Sequence, residues 1–280
     1  MIDQKCSKNI DTGSEKIRLC ILKSLRENTG ALIGRHGSTE LTCILSENPK
    51  KHGQRLETYS GIFGDHMSWL TEYVNACAAA DIFAAGWFEP LAEAELAYIN
   101  LLNPDTKLIP LRSLEPYYSQ IPWTQALSGQ HVCVVSSFAI SMRTQDLKCI
   151  WEREILPECT WNFVRSYYPP SIGGPNCTWP RGIDSSLQAI DYLESEVLKS
   201  GAKIVLIGCG GLAMPLAHRL KQKGLVAIVL GGAIQILFGI KGFRWENHSV
   251  ISKFFNDSWV FPSAEEVPLG AEKIEHGCYW

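Results

Sequence analysis

The ten cysteines of this 280-residue chain include no C-x-x-C pair, which excludes the common zinc-site and thioredoxin-type signatures. Nor does any apolar stretch reach the ~20 residues needed to cross a bilayer. The nearest, Leu225 to Ile240, is short and broken by glycines, and it reads as a buried strand-to-helix unit. The N-terminal run MIDQKCSKNIDTGSEK is too polar for a signal peptide. A basic excess is also missing: the formal net charge is -3, which gives no support to a general nucleic-acid binder. The one basic cluster, Lys50, Lys51, His52 and Arg55, reads as a solvated loop. P-loop, H-E-x-x-H and G-x-S-x-G motifs are absent, so NTPase, metalloprotease and serine-hydrolase readings have no anchor. Internal repeats and low-complexity segments are likewise lacking. The expected setting is a reducing cytoplasm, in which the sequons at Asn176, Asn247 and Asn256 go unused.

What is present suits a folded protein: 46% apolar and 20% charged residues. The length supports a sizeable core. It fits one α/β domain over 1–280, or two packed lobes joined near the proline- and aromatic-rich 115–130. Most cysteines, including Cys20, Cys43, Cys77 and Cys133, sit in apolar runs and are expected to serve as small core hydrophobes.

Apolar periodicity predicts a helix through Ile17 and Leu25, a strand at ALIG (31–34), and a helix through Leu41 and Leu45 capped by Ser38. Further helices are expected through Met67 and Ala78 and over 91–102, with strands at IFAAGWF, 108–111 and HVCVVSSF. A helix is predicted through Met142, Cys149 and Ile150, followed by a proline- and glycine-rich loop over 167–181, long enough to suggest function. An amphipathic helix over 185–200, the strand KIVLIG, a helix over 212–223 and the strand in LVAIVLGG complete the chain. Strands alternating with helices predict a mostly parallel, doubly wound, Rossmann-like sheet flanked by helices.

Chemistry is concentrated at predicted strand ends. KIVLIGCGGLA runs a strand into Gly208-x-Gly210-x-x-Ala213, where small residues let a backbone approach a pyrophosphate at a helix N-terminus. A dinucleotide site would add a carboxylate about 20 residues on. That strand ends instead in Leu230-Gly231-Gly232, which weakens the nicotinamide reading and leaves mononucleotides and nucleotide-sugar diphosphates open. An ordinary tight turn would need the same glycines. Arg35, His36, Gly37 and Glu40 follow the first strand; an arginine there can grip a diphosphate, and a glutamate can act as base or hold a divalent ion. A first-turn carboxylate equally favours any helix. Asp65 and His66 form a second acid/base candidate, explained equally well by a helix cap. In GGAIQILFGIKGFRW (231–245), Gln235 interrupts an apolar helix and Arg244-Trp245 follow a glycine-flanked turn, suited to phosphate and to a base or sugar face. A core helix with a basic surface turn is the plainer reading. Trp87 and the Ser136-Ser137-Phe138 turn also end strands.

The ordered blocks GRHGSTEL (34–41), VVSSFAISMRTQ (134–145), LIGCGGLAMPLAHRLKQKG (206–224) and GGAIQILFGIKGFRW (231–245) resemble those of the GT-D-type glycosyltransferases. These are known mainly from polysaccharide loci and large algal viruses. The resemblance implies a Rossmann-like fold, a nucleotide-sugar donor and a glycan or glycoprotein acceptor. A branch that adds xylose to the capsid glycans of chlorella viruses is similar too, which implies UDP-xylose and a host-cytoplasm setting. By position, the family's R-x-G-x-x-E element falls on Arg35, Gly37 and Glu40. Its metal-binding D-x-E pair is represented only by Ser38-Thr39-Glu40. Glu40 is therefore expected as base or as a weak Mg or Mn ligand. The expected donor-binding set is Arg35, His36, Gly37, Ser137, Gly208, Gly210, Gly232, Gln235, Arg244 and Trp245, and the expected catalytic set is Glu40, Asp65 and His66. An S-adenosylmethionine-dependent methyltransferase and a non-catalytic nucleotide- or carbohydrate-binding protein are the alternatives.

Overall fold

Continuous apolar runs such as ALIG, VCVV and IVLI suit strands covered on both faces, as in parallel sheets. The structure, a computed structural model describing residues 4–280, gathers them into one parallel sheet. Its strands are β1 (Ala31–Arg35), β2 (Ile82–Ala84), β3 (Lys107–Ile109), β4 (His131–Ser136), β5 (Thr160–Arg165), β6 (Ile204–Gly208) and β7 (Val226–Val229), in the order β3-β2-β1-β7-β6-β4-β5. The α/β, doubly wound architecture expected from the sequence is the one observed. β7, last in sequence, lies at the centre between β1 and β6, with Ala31 opposite Val226 and Ile204 also opposite Val226.

The helices are α1 (Gln4–Glu27), α2 (Ser38–Ile44), α3 (Gly53–Ser60), α4 (His66–Ala78), α5 (Ala92–Leu102) and α6 (Ala139–Thr144) in the first half. α7 (Pro170–Gly173), α8 (Ser186–Ser200), α9 (Ala213–Gln222), α10 (Ala233–Leu237) and α11 (Phe243–Glu246) follow. None of the described helices is long and apolar enough to cross a membrane.

Side chains alternate between the two faces of the sheet, as strand geometry requires. Ala31, Ile33, Val132, Val134, Ile204 and Leu206 join the core under α1 and the C-terminal segment. Leu32, Cys133, Val135, Val205 and Ile207 join Trp69, Tyr73, Leu193 and Leu216 beneath α4, α8 and α9. Cys43, Cys77 and Cys133 are buried free thiols, while Cys20 is half-buried. Burial pushes the Cys20, Cys43 and Cys133 thiols up to about 11.

Three local expectations are corrected. Ser38 opens α2 as its first helical residue, and the cap position belongs to Gly37. The strand expected through IFAAGWF is confined to Ile82–Ala84. The helix expected to run on from Met142 stops at Thr144, and Ile150 lies beyond it in a loop, its carbonyl held by distant side chains. Trp259 Nε1 donates to Ile150 O at 2.9 Å and Asn256 Nδ2 at 3.1 Å. β5 was not anticipated: it is an edge strand paired only with β4, and its side chains are exposed or half-buried along its length. TWNFVR therefore carries no buried apolar run.

Candidate active site

Every strand points the same way, so the loops after β1, β2, β3 and β7 converge on one edge, where open α/β sheets place ligands. There they line a cleft of about 1050 Å³. Arg35, the last residue of β1, donates from Nε to His36 O at 3.0 Å, and its guanidinium carbon lies 4.9 Å from the centre of the Trp87 ring. The turn after β7 passes against it. Gly231 has φ of +59°, a left-handed conformation that favours glycine, and a Cβ there would lie 3.3 Å from Arg35 Nη1.

On the other side of that turn stands the C-terminal wall. A Cβ at Gly232 would meet Tyr279 and Trp245 at ordinary contact distances. Arg244 lies over both rings, 5.5 Å from Trp245 and 5.0 Å from Tyr279. Its Nη1 donates to the Tyr279 hydroxyl at 2.7 Å and pairs with Glu275 at 3.2 Å. A guanidinium has five N–H donors, so this anchoring leaves others for a ligand in the cleft. Arg35 and Arg244 therefore flank Gly231-Gly232 from opposite ends of the chain.

Glu40 faces the same cleft and is 6% exposed. Its carboxylate folds back over Gly37, where a Cβ would lie 2.9 Å from Glu40 Cδ. This close approach explains the Gly-x-x-Glu spacing: the residue at 37 must leave room for the carboxylate. Burial raises the Glu40 pKa above its ordinary 4.5, opposed by its own backbone N–H, by Ser60 and by the charge of Arg35. Arg35 acts likewise on two further carboxyls. Glu95, fully buried, accepts from the Gly86 N–H at 2.7 Å, and burial raises its pKa against the hydrogen bond and Arg35. Glu115 is paired with Arg112 at 3.0 Å, and burial raises its pKa against Arg112 and Arg35.

Arg35, Gly37, Glu40, Gly210, Gly232, Arg244 and Trp245 line this cleft. Ser137, Gly208 and Gln235 line an adjoining chamber of about 160 Å³ at the ends of β4, β5 and β6, a chamber that Gly210 and Gly232 also border. The space that side chains would take on the glycine turn after β6 is filled by protein. A Cβ at Gly208 would meet Ile234 and would lie 2.8 Å from Gly231 O, and one at Gly210, whose φ is +60°, would lie 2.6 Å from Ser60 O. Those glycines let three backbone turns pack together.

Three expected site residues lie elsewhere. His36 is fully buried beneath the cleft, with Nδ1 3.3 Å from the Tyr73 hydroxyl and its ring 4.6 Å from that of Phe83. Burial and then Arg35 push it down to about 3, so it stays neutral. Asp65 caps α4, accepting from Met67 N at 3.0 Å and Ser68 N at 3.3 Å. The Ser68 hydroxyl foremost, then these N–H groups, hold its carboxyl below the usual range. His66 packs against Gly53. Neither Asp65 nor His66 lines either cavity.

Sequence reasoning missed Arg112, Glu115, Glu275, Tyr279 and Trp280. Only the terminal aromatic pair of GCYW offered a signal, and nothing local ties it to strand ends 40 or more residues away in sequence.

The residues present do not fit a protein-held divalent ion. Among the described residues no group of three or more His, Cys, Asp or Glu is placed to hold one, and Ser38 stands where the D-x-E pattern would supply its first carboxylate.

No protein-family model matches the chain, and no curated protein matches it. Solved structures do show similarity. One, described as the domain of unknown function 1792, shares 13% identity over 89% of this chain and 91% of its own, with a TM-score of 0.48. A second, described as that highly conserved domain with a distinct glycosyltransferase fold, shares 12% over 92% and 96%, at 0.47. A third, described as a new glycosyltransferase of that domain from Streptococcus sanguinis, shares 10% over 89% and 94%, at 0.49.

Proposed function

We propose that the chain is a glycosyltransferase that moves a sugar from a nucleotide diphosphate donor, a UDP-sugar, to a hydroxyl of a glycan acceptor. The observation that carries this reading is the pair of guanidiniums, Arg35 and Arg244, facing one cleft from either side of Gly231-Gly232. Two cations across a small-residue turn suit a diphosphate, whose negative charge grows as the glycosidic bond breaks. Trp87, Trp245 and Tyr279 offer faces for a base or sugar. At about 1050 Å³ the cleft has the size of a large ligand site.

In this reading Glu40 is the base that takes the proton of the acceptor hydroxyl. Its burial favours that role, because a carboxylate desolvated to a higher pKa is a stronger base. The Arg35 charge opposes that rise and favours the ionised form. Trp87 holds the guanidinium of Arg35 by cation–π contact, and Tyr279 and Glu275 hold that of Arg244. The resemblance of four sequence blocks to those of GT-D-type enzymes supports the same reaction, and the resemblance to their viral branch favours xylose as the transferred sugar.

A calorimetric panel of UDP, UDP-xylose, UDP-glucose and S-adenosylmethionine, followed by assay for released UDP with glycan acceptors, tests the proposal. Binding of UDP and UDP-sugars with acceptor-dependent release supports it. Binding of S-adenosylmethionine alone, or nucleotide binding without any turnover, rejects it.

A further inference from the structure

The small chamber beside the cleft carries two polar atoms whose hydrogen-bonding capacity the fold does not exhaust. Gln235 is fully buried; its Nε2 donates to Lys241 O at 2.8 Å and Tyr279 O at 2.7 Å, but its Oε1 has no partner. Ser60, at the end of α3, is 2% exposed; its hydroxyl bonds the Glu40 carboxylate and keeps lone pairs free to accept from a ligand. Both residues line the same chamber. Buried polar atoms are nearly always hydrogen-bonded, because leaving one unmade forfeits its hydration. An unmet amide oxygen and a hydroxyl with free lone pairs in one cavity point to an occupant carrying hydroxyl groups.

The size and walls narrow that occupant further. The chamber measures about 160 Å³, and an apolar protein cavity of about 150 Å³ accommodates one benzene ring. Phe138 and Trp280 supply apolar faces, while the Ser137 hydroxyl, which accepts from the Tyr168 hydroxyl at 3.0 Å, supplies another polar edge. A ring with C–H faces and O–H edges meets all of these at once. The chamber also shares Gly231, Gly232, Tyr59 and Tyr279 with the main cleft. A diphosphate lying across the glycine turn would deliver its sugar there.

We propose that this chamber holds the single sugar ring that is transferred, with Gln235 Oε1 and the Ser60 hydroxyl as its hydrogen-bond partners. The assignment rests on the diphosphate-donor reading above and adds the place of the sugar to it.

Calorimetry with UDP and with UDP-xylose or UDP-glucose, on the wild type and two variants, separates the two ideas. Ser60→Ala removes one partner and is expected to weaken UDP-sugar binding about threefold to tenfold, the ordinary worth of one hydrogen bond, with UDP affinity unchanged. Ser137→Leu fills the chamber and is expected to weaken UDP-sugar binding further, again sparing UDP. Ser60→Ala alone decides the matter if Ser137→Leu does not fold. Unchanged UDP-sugar affinity in Ser60→Ala overturns the chamber assignment, and equal losses for UDP and UDP-sugar overturn it too, while both leave the transferase reading standing. A wild type that binds no nucleotide at all overturns the transferase reading and this assignment with it.

Discussion

Adding one methyl group at Gly37 should disable the proposed base without touching it chemically. Gly37 has φ of -82° and ψ of 158°, an extended conformation that alanine adopts freely, so the backbone gives no objection. Two small effects then nearly cancel: alanine restricts the unfolded chain, stabilising by about 0.4–1 kcal/mol. As a helix cap it is poorer than glycine by roughly 0.5–1 kcal/mol. What remains is the carboxylate of Glu40, whose Cδ would lie 2.9 Å from the new Cβ. It must rotate away and give up the hydrogen bond to its own backbone N–H, a charge-assisted bond worth about 1.5–3 kcal/mol. A displaced base should cost turnover at least about a hundredfold, the lower end of what general-base catalysis contributes. The assay is a double-mutant cycle of Gly37→Ala and Glu40→Ala, read by UDP release and by thermal unfolding. In the Glu40→Ala background, Gly37→Ala should be nearly silent in both, since no carboxylate remains to displace. Full turnover in Gly37→Ala, or equal effects in the two backgrounds, would refute the reasoning.

Other expectations concern the same cleft. Glu40→Gln should lower turnover at least about a hundredfold while the protein stays folded, and near-normal rates would remove Glu40 as base. The acid limb of the kcat/KM profile should fall above pH 4.5, because burial raises the Glu40 pKa. Arg35→Met should move that limb higher still, since the arginine's charge favours the ionised carboxylate. A limb that stays in place contradicts the coupling. Arg244→Ala should weaken UDP binding about tenfold or more, as for a lost charge-assisted bond, without unfolding the protein; calorimetry giving the wild-type affinity would reject the assignment. Asp65→Ala should lower the melting temperature and leave the turnover of folded protein unchanged, because its carboxylate caps α4 outside the cleft. The stabilisation from Asp65 is present above the ordinary carboxylate pKa and fades as pH falls through its lowered value. A large rate loss in that variant would return it to the site.

The sheet was legible because its strands are buried on both faces and so announce themselves as apolar runs: ALIG, VCVV, IVLI and VAIV all became strands. β5 escaped for the converse reason, its edge position leaving polar and apolar residues mixed. Of the expected site, Arg35 and Glu40 line the cleft because strand-end position is itself a spatial statement in a parallel sheet, and Arg244 reaches it from α11. His36 has the same sequence context, yet its ring turns inward between Tyr73 and Phe83. One residue's shift along a turn decides which way a side chain faces, and sequence spacing does not resolve it. Gly208 and Gly210 illustrate another limit. A glycine that admits a ligand and a glycine that admits Ile234 or the Ser60 carbonyl look alike in one dimension. Tyr279 and Trp280 lay beyond reach because their partners, Gly232 and Arg244 for one and Phe138 for the other, are set by how the C-terminal segment wraps back.

The central place of β7 has a consequence for synthesis. Until residues 226–229 emerge, β1 and β6 each present an unpaired edge where β7 will later insert, and exposed edges invite pairing with other chains. Its contacts with β1 span nearly 200 residues, so closing the sheet is a late, non-local event of the kind that slows folding. The arginine at residue 35 waits through that interval without the glycine turn that completes its surroundings. A slow stretch of translation before residue 226 would prolong the vulnerable state, and an added nucleotide could draw the chain forward only after the last strand is in place.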